Sequence, residues 1–169
     1  FMSDIKAAKT VLWEFSNKDD GDLGFTHSEA TIAYLNNGKW AAVFGNGPCS
    51  DTATCGDGEA KLFIVYLDGP VGGVWNKGLQ YHKISTGAGS TTKRNGLFAP
   101  RLVDLNADGA ADFAYAGDLH GNLWRFDLRS KVASSWNSAA LFKGDPKQPI
   151  TVQPTITSAP SSVTAFRSS

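Results

Sequence analysis

The sequence predicts an all-β fold, and three features of its composition and patterning support this class. Eighteen glycines and seven prolines supply the many turns that short strands need. Five tryptophans, four tyrosines and ten phenylalanines provide large apolar side chains of the kind that strands favour. No segment keeps the apolar spacing of a long amphipathic helix, and only residues 130–141 are expected to hold a short helical turn.

Apolar runs bounded by turn residues indicate where the strands lie. The turn Asn36-Asn37-Gly38 separates two such runs, and Asn-Gly between apolar runs is a strong hairpin signal. The run at residues 61–67 is followed by Asp68-Gly69-Pro70, which ends it. Strands are predicted at residues 11–15, 31–35, 39–45, 61–67, 79–85 and 150–156.

The second half of the sequence repeats the first. Leu12-Trp13-Glu14-Phe15 resembles Leu123-Trp124-Arg125-Phe126, and Leu62-Phe63-Ile64-Val65 takes the corresponding place between them. These anchors lie roughly 50 to 60 residues apart, which is typical of β-propeller blades with loop insertions. We therefore predict part of a modified β-propeller, with about two four-stranded blades at residues 29–85 and 98–142 and parts of neighbouring blades around them.

The predicted partial propeller spans residues 1–156, and residues 157–169 are interpreted as a Ser/Pro-rich tail or the start of the next segment. Two blades cannot close a ring, so we expect other blades of the same propeller to pack against them. A small β-sandwich with accidental self-similarity is the alternative fold, because sandwich strands recur at a similar spacing.

Charge and hydropathy restrict the partners and the location of the chain. Its formal net charge is zero, with 16 basic and 16 acidic residues, so it lacks the basic surface of a nucleic-acid binder. No apolar stretch approaches the roughly 18 residues needed to span a bilayer. The first residues also lack the apolar core of a signal peptide. The chain is therefore either cytosolic or a piece of a larger secreted protein, and the strand-like runs near both ends favour a piece.

Two cysteines, Cys49 and Cys55, flank a short polar loop. This spacing permits a disulfide across the loop tip, and two free thiols are the alternative. It is not the CxxC spacing of a redox motif. None of His27, His82 and His120 lies close enough in sequence to complete a zinc site, and each is expected to cap a loop.

The most specific segment is Asp104-Leu105-Asn106-Ala107-Asp108-Gly109-Ala110-Ala111-Asp112. Calcium takes six to eight oxygen ligands, and EF-hand loops supply them from side chains at positions 1, 3 and 5, a backbone carbonyl at position 7 and position 9. A glycine at position 6 allows the loop to turn sharply. The predicted calcium ligands are Asp104, Asn106, Asp108, Ala110 through its carbonyl, and Asp112.

This loop departs from an EF-hand after position 9. Position 12 is Tyr115 instead of a bidentate glutamate, and the flanking segments are strands instead of helices. We therefore predict an EF-hand-like loop within a hairpin, and a solvated acidic turn without metal is the alternative. The corresponding turn of the first repeat, Asn36-Asn37-Gly38, has no carboxylate and is not expected to bind metal.

Other polar segments give weaker signals. Asp19-Asp20-Gly21-Asp22 is interpreted as a solvated loop, with a second ion as the less favoured reading. Gly45-Asn46-Gly47 and residues 117–121 are interpreted as β turns, because they lack the strand-to-helix context of a nucleotide loop. No Gly-x-Ser-x-Gly elbow or other catalytic constellation is present in the sequence, so an enzyme is not predicted.

Several of these segments together resemble a known family. They are Trp40-Ala41-Ala42-Val43-Phe44-Gly45-Asn46-Gly47, Leu62-Phe63-Ile64-Val65, and the loop at residues 104–112 running into Tyr115-Ala116-Gly117-Asp118-Leu119-His120-Gly121-Asn122-Leu123-Trp124-Arg125-Phe126-Asp127-Leu128. Over residues 10–156 the chain resembles the C-terminal propeller of the type IV pilus tip adhesins, the PilY/PilC family. Residues 48–55 depart from the family pattern, and the chain covers only part of such a propeller.

The resemblance implies a large secreted adhesin, exported through the periplasm to the pilus tip or outer cell surface. It implies pilins and minor pilins as partners, and host or abiotic surfaces as adhesion targets. It also implies that Ca²⁺ bound at one propeller loop regulates pilus extension against retraction, and with it twitching motility and adhesion. The family's ligand positions match Asp104, Asn106, Asp108, Ala110 and Asp112 here.

Two other classes remain open on the sequence alone. A quinoprotein dehydrogenase propeller has similar Gly-Asn-Leu-Trp strands and uses calcium beside a quinone, but no cofactor-binding set is evident here. An integrin-like propeller carries Asp-x-Asn-x-Asp-Gly loops, usually in several blades, whereas the first repeat lacks one.

Overall fold

The computed structural model describes residues 11–26, 29–49 and 56–157, and its strands form two four-stranded antiparallel sheets. In each sheet the strands lie side by side in chain order, so each is an up-and-down meander. This is the arrangement of two propeller blades, as the sequence predicts. We call them blade 1 and blade 2.

Blade 1 is built around a strand that is buried on both faces. Its strands are β1 (Thr31–Tyr34), β2 (Trp40–Gly45), β3 (Glu59–Tyr66) and β4 (Tyr81–Gly89). Alternate side chains of β3 point in opposite directions, so Leu62 and Ile64 enter one apolar core while Phe63 and Val65 enter another. This explains why β3 is a continuous apolar run instead of an alternating one.

Blade 2 repeats this order with shorter strands. They are β5 (Arg101–Val103), β6 (Phe113–Gly117), β7 (Leu123–Asp127) and β8 (Asn137–Phe142). A 3₁₀ turn at Ala133–Ser135 precedes β8, which confirms the short helical turn predicted within residues 130–141.

The two blades share one apolar core. β3 of blade 1 contributes Leu62 and Ile64, and blade 2 contributes Ala114, Ala116 and Phe126. All five are fully buried, and the small alanines on β6 allow the sheets to approach closely. β1 lies beside β5 and β4 beside β8, so corresponding strands of the two blades face each other.

The strand prediction at residues 11–15 is wrong. This segment forms no ladder; instead Trp13 and Phe15 pack edge-on against Trp75, with ring centroids 5.0 and 5.1 Å apart. The Trp75 indole donates to the Glu14 carbonyl at 2.9 Å, and the Trp13 indole donates to the Leu67 carbonyl at 3.1 Å. Residues 11–15 are therefore held by aromatic packing on the face of β3 that points away from blade 2, although their strand propensity alone predicts pairing with a neighbouring strand.

The strand prediction at residues 150–156 is also wrong. The Ile150 amide donates to the Asp118 carbonyl at 3.1 Å, and the Gln153 side chain donates to the Pro100 carbonyl at 2.7 Å. These isolated contacts tie the segment to blade 2, but none of its described residues enters a sheet. A β-branched composition gives a strand only where a partner edge completes the ladder.

The interpretation of residues 19–22 as a solvated loop holds for Asp19 and Gly21, which are exposed, but is wrong for Asp20 and Asp22. Asp20 is buried, and its carboxylate accepts hydrogen bonds from the Tyr81 hydroxyl at 2.7 Å and the Lys83 ammonium at 2.8 Å. Asp22 pairs with Lys83 at 2.5 Å and with Lys61 at 2.6 Å. The lysines of β3 and β4 thus neutralise these carboxylates, which leaves no need for a second metal ion.

This charged cluster joins the N-terminal loop to blade 1. Burial raises the pKa of the Asp22 carboxyl, but hydrogen bonds and charges from Lys61 and Lys83 lower it by more, so the pKa lies below its usual value. Burial lowers the pKa of the Lys83 ammonium, while Asp20 and Asp22 raise it by more, so the net direction is upward. Both partners are therefore charged in the folded protein near neutral pH.

We predict that Asp22→Asn destabilises the chain in a pH-dependent way. A carboxyl whose pKa falls on folding stabilises the fold above its unfolded pKa, and this contribution disappears as the pH falls through the lowered folded value. The variant should lose about 1–3 kcal/mol of unfolding free energy at pH 7 and less below about pH 4. Urea denaturation at pH 7 and pH 3 measures both.

Asp68→Asn is the matched control, because Asp68 also pairs with a lysine, Lys39, but its side chain is 77% exposed. An exposed pair contributes about 0–1 kcal/mol, so this variant should stay close to the parent chain. A loss for Asp22→Asn that is the same at both pH values would contradict the electrostatic account of the cluster.

Candidate metal centre

The candidate site is the connection between β5 and β6, at residues 104–112. Val103 pairs with Phe113 at the base of this hairpin, and the Asp112 amide donates to the Val103 carbonyl at 2.8 Å. The two ends of the loop are therefore held together by the ladder of blade 2. Residues 104–109 are exposed to solvent, whereas residues 110–112 are buried against the blades.

The first half of the loop wraps around the Asp104 carboxylate. Its two oxygens accept the Gly109 amide at 2.7 Å and the Asp108 amide at 3.3 Å. The Asn106 side-chain oxygen accepts the same Asp108 amide at 3.1 Å. The oxygens of Asp104 and Asn106 are thus brought to one point, on the inside of the turn.

Asp108 completes this group of polar side chains. One of its carboxylate oxygens accepts the Ala110 amide at 2.8 Å, and the other accepts the Asn106 side-chain amide at 3.0 Å. The structure therefore brings together three of the predicted ligands, Asp104, Asn106 and Asp108, on an exposed turn. All three present hard oxygen donors, which suit calcium better than a soft metal.

Backbone conformation makes the tight turn possible. Gly109, at the sixth position, has φ of 90°, a left-handed value that favours glycine. Ala107 has φ of 60° and is the one non-glycine residue with positive φ in the described part of the chain. An alanine in this region costs on the order of 1 kcal/mol, so hydrogen bonds within the loop offset a real strain.

The fifth predicted position, Asp112, is placed differently. It is buried, and its two carboxylate oxygens accept the Leu105 amide at 2.9 Å and the Asn36 side-chain amide at 3.3 Å. Across residues 11–26, 29–49 and 56–157, no three acidic, histidine or cysteine side chains converge closely enough to hold a metal ion. The structure thus does not bring Asp112 together with Asp104 and Asp108 into one acidic cluster.

The residues present nevertheless fit calcium. Two carboxylates, one carboxamide and the Ala110 carbonyl belong to the loop, and calcium accepts carboxylate, amide, carbonyl and water oxygens in flexible geometry. Each Asp112 oxygen accepts one hydrogen bond and has a further lone pair to offer. An asparagine side chain and a main-chain carbonyl therefore take the places that further carboxylates would otherwise fill in this site.

Sequence reasoning missed the role of Asn36. The turn Asn36-Asn37-Gly38 was expected to be only a hairpin turn, and within blade 1 it is one, with the Gly38 amide donating to the Leu35 carbonyl at 2.9 Å. The Asn36 side chain also reaches blade 2 and contacts Asp112. Asn36 and Asp112 lie 76 positions apart, so no local sequence pattern could predict their contact.

Sequence reasoning also did not predict the burial of Asp118. It is fully buried after β6, where it accepts hydrogen bonds at 2.8 Å from the side chains of Asn95, Asn122 and Trp124. Asn95, itself almost fully buried, lies in the segment between the blades. The Gly-Asp-Leu-His-Gly segment is thus a β turn, as predicted, whose aspartate joins β7 to the inter-blade segment.

The histidines have structural surroundings where the structure describes them. His120 contacts the Arg94 carbonyl through its Nε2 at 2.8 Å, which confirms a loop-capping role. For His82 that expectation is wrong: its ring packs between Tyr66 and Trp136, and burial followed by the charge of Lys77 lowers its pKa. His27 lies outside the described residues.

The structure supports the predicted disulfide at Cys49. Cys49 is disulfide-bonded, and the other cysteine of the sequence, Cys55, lies outside the described residues. Within the described part of the chain, no helix is long and apolar enough to cross a membrane.

Curated proteins similar to this chain share a common name. A "Type IV pilus biogenesis factor PilY1" of Pseudomonas aeruginosa strain UCBPP-PA14 is 36% identical over 179 residues, covering 89% of this chain and 14% of that protein. The protein of the same name in strain PAO1 is 45% identical over 118 residues, covering 70% and 9%. A PilY1 homologue of Xylella fastidiosa is 38% identical over 152 residues, covering 82% and 9%. The chain therefore spans a small part of these relatives.

A solved structure and a family description agree with this likeness. The crystal structure of the P. aeruginosa PilY1 C-terminal domain matches with a TM-score of 0.64 and 35% identity, covering 86% of this chain and 32% of that one. The family described as "PilY1 beta-propeller domain" matches residues 3–165, which rejects the β-sandwich alternative and confirms the resemblance. The chain therefore belongs to the PilY1 β-propeller domain family of type IV pilus biogenesis factors.

Proposed function

We propose that this chain is the calcium-binding propeller module of a type IV pilus-associated adhesin. The ion would be held by oxygens of Asp104, Asn106 and Asp108, by the Ala110 carbonyl, and by Asp112 directly or through water. The observation that carries the proposal is the convergence of Asp104 and Asn106 oxygens on the Asp108 amide, at 3.3 and 3.1 Å. A cation at the inside of this turn would replace backbone donors with a stronger partner.

Calcium would act as a local switch on the loop. Without it, the carboxylates of Asp104 and Asp108 repel each other across a short exposed turn. With calcium bound, both carboxylates are attracted to the ion. The turn is then fixed relative to β5 and β6, the two strands that it connects. The ordered loop would then present a defined surface to other blades, pilins or minor pilins.

Membership of the family supports a cellular role in pilus function. The curated relatives are named as type IV pilus biogenesis factors. We propose that calcium occupancy of the loop regulates pilus extension against retraction, and thereby twitching motility and adhesion to host or abiotic surfaces. The site of action would be extracellular, at the pilus tip or outer cell surface. Neither the quinoprotein dehydrogenase nor the integrin-like alternative gains support, because the relatives carry neither description.

The proposal predicts saturable calcium binding at this loop. Calorimetric titration of calcium into the chelator-treated chain should give one site, with Kd between about 10⁻⁶ and 10⁻³ M. Asp108→Ala should abolish it, because the variant removes a carboxylate that contacts Asn106 and Ala110 within the loop. Asp68→Ala, which removes an exposed carboxylate far along the chain, should bind as the parent does.

Binding that survives unchanged in Asp108→Ala would place the ion elsewhere and contradict the proposed ligand set. Linkage provides a second readout: calcium at about 100 times Kd should raise the unfolding free energy by about 2.7 kcal/mol. This increase should be absent in the Asp108→Ala variant.

A further prediction of the proposal concerns pilus function. In a type IV piliated bacterium that produces the full-length protein, Asp108→Ala should remove the calcium dependence of twitching motility, whereas Asp68→Ala should retain it. Twitching zones measured with and without a calcium chelator report the difference. Unchanged calcium dependence in Asp108→Ala cells would reject the regulatory role and leave calcium binding itself intact.

A further inference from the structure

The Asn36 side chain connects the two blades at the edge of residues 104–112, which we call the calcium loop. Its amide nitrogen lies 3.1 Å from the Ala111 carbonyl, 3.3 Å from the Leu128 carbonyl and 3.3 Å from Asp112 Oδ1. Two amide hydrogens thus serve three acceptors, all of them in blade 2 and one of them a proposed calcium ligand. Asn36 itself belongs to the β1–β2 turn of blade 1.

The backbone at this point reinforces the contact. Leu35 and Ala111 form a parallel bridge between the blades, and the Ala111 amide donates to the Tyr34 carbonyl at 2.9 Å. Leu35 is fully buried in the shared core. The exit of the calcium loop is therefore attached to the β1–β2 turn by both main-chain and side-chain hydrogen bonds.

We infer that Asn36 is a positioning residue for the calcium loop, which orients the Asp112 carboxylate and couples occupancy of the loop to packing between the blades. The inference rests on the calcium binding proposed above. Asp112 accepts donors on both oxygens, the Leu105 amide and Asn36, so its plane is fixed before any ion binds. Partners that orient a metal ligand in this way typically affect metal affinity strongly.

The coupling acts in both directions. If the Asn36 contact favours the arrangement that binds calcium, then bound calcium must strengthen the Asn36 contact by the same factor. Calcium should therefore stabilise the hydrogen bond between the Ala111 amide and the Tyr34 carbonyl, which links the two blades beside Asn36. A residue with only a structural role would hold the blades together equally with and without calcium.

The adjacent residue provides a matched control. Asn37 lies in the same turn and has the same side chain, but its amide donates to the Tyr66 hydroxyl at 2.7 Å, within blade 1. Its side-chain oxygen accepts the Lys39 amide at 3.3 Å. Asn37→Ala therefore perturbs the turn without removing the contact to Asp112.

The test is calcium titration of the parent chain, Asn36→Ala and Asn37→Ala, together with their unfolding midpoints in chelator. Asn36→Ala should weaken calcium affinity by about tenfold or more, and Asn37→Ala should leave it unchanged. Hydrogen exchange provides the second readout: calcium should slow exchange of the Ala111 amide in the parent and in Asn37→Ala but not in Asn36→Ala. Should Asn36→Ala fail to fold, Asn36→Ser takes its place in both measurements.

Each other outcome overturns a definite statement. A parent chain that binds no calcium overturns the proposed function itself. Calcium binding in the parent with equal affinity in Asn36→Ala, whatever the unfolding midpoint, overturns only the positioning role and leaves the calcium site standing. Equal weakening in Asn36→Ala and Asn37→Ala shows a general effect of the turn and also overturns the specific role of Asn36.

Discussion

Packing of β3 against blade 2 is the constraint on which the other features of the chain depend. Leu62 and Ile64 bury one face of this strand against Ala114, Ala116 and Phe126. This contact brings β1 beside β5 and so places the β1–β2 turn next to Ala111, at the C-terminal end of the loop at residues 104–112. The opposite face of β3 packs against Trp13 and Phe15. Near the N-terminal end of β3, Lys61 pairs with Asp22 in the charged cluster.

The loop at residues 104–112 shows how such a frame supports a candidate site whose own stability is low. Its first six residues are exposed, one alanine adopts a left-handed conformation, and two carboxylates lie on the same turn. Each of these features disfavours the loop in isolation. The hairpin ladder holds both ends of this loop, and Asn36 holds the end at Asp112, so the proposed ion would have to order only the exposed residues.

Much of this arrangement is local and was therefore predictable. Asn-Gly turns, apolar runs and the repeat of Leu-Trp-x-Phe indicated two four-stranded blades, and the spacing of Asp104, Asn106 and Asp108 indicated a turn with converging oxygens. The errors concern long-range contacts. Residues 11–15 have strand propensity but pack through aromatic rings, and Asp20 and Asp22 lie in a polar segment that distant lysines bury. Asn36 reaches Asp112 for the same reason.

A crystal structure of the chain grown with calcium, with anomalous scattering used to locate the ion, tests the central claim most directly. The account predicts one ion at residues 104–112, coordinated by side chains of Asp104, Asn106 and Asp108 and by the Ala110 carbonyl at about 2.3–2.6 Å. Asp112 should contribute directly or through one water, with Asn36 still in contact with it. An ion bound elsewhere, or a loop that excludes calcium at saturating concentration, would contradict it.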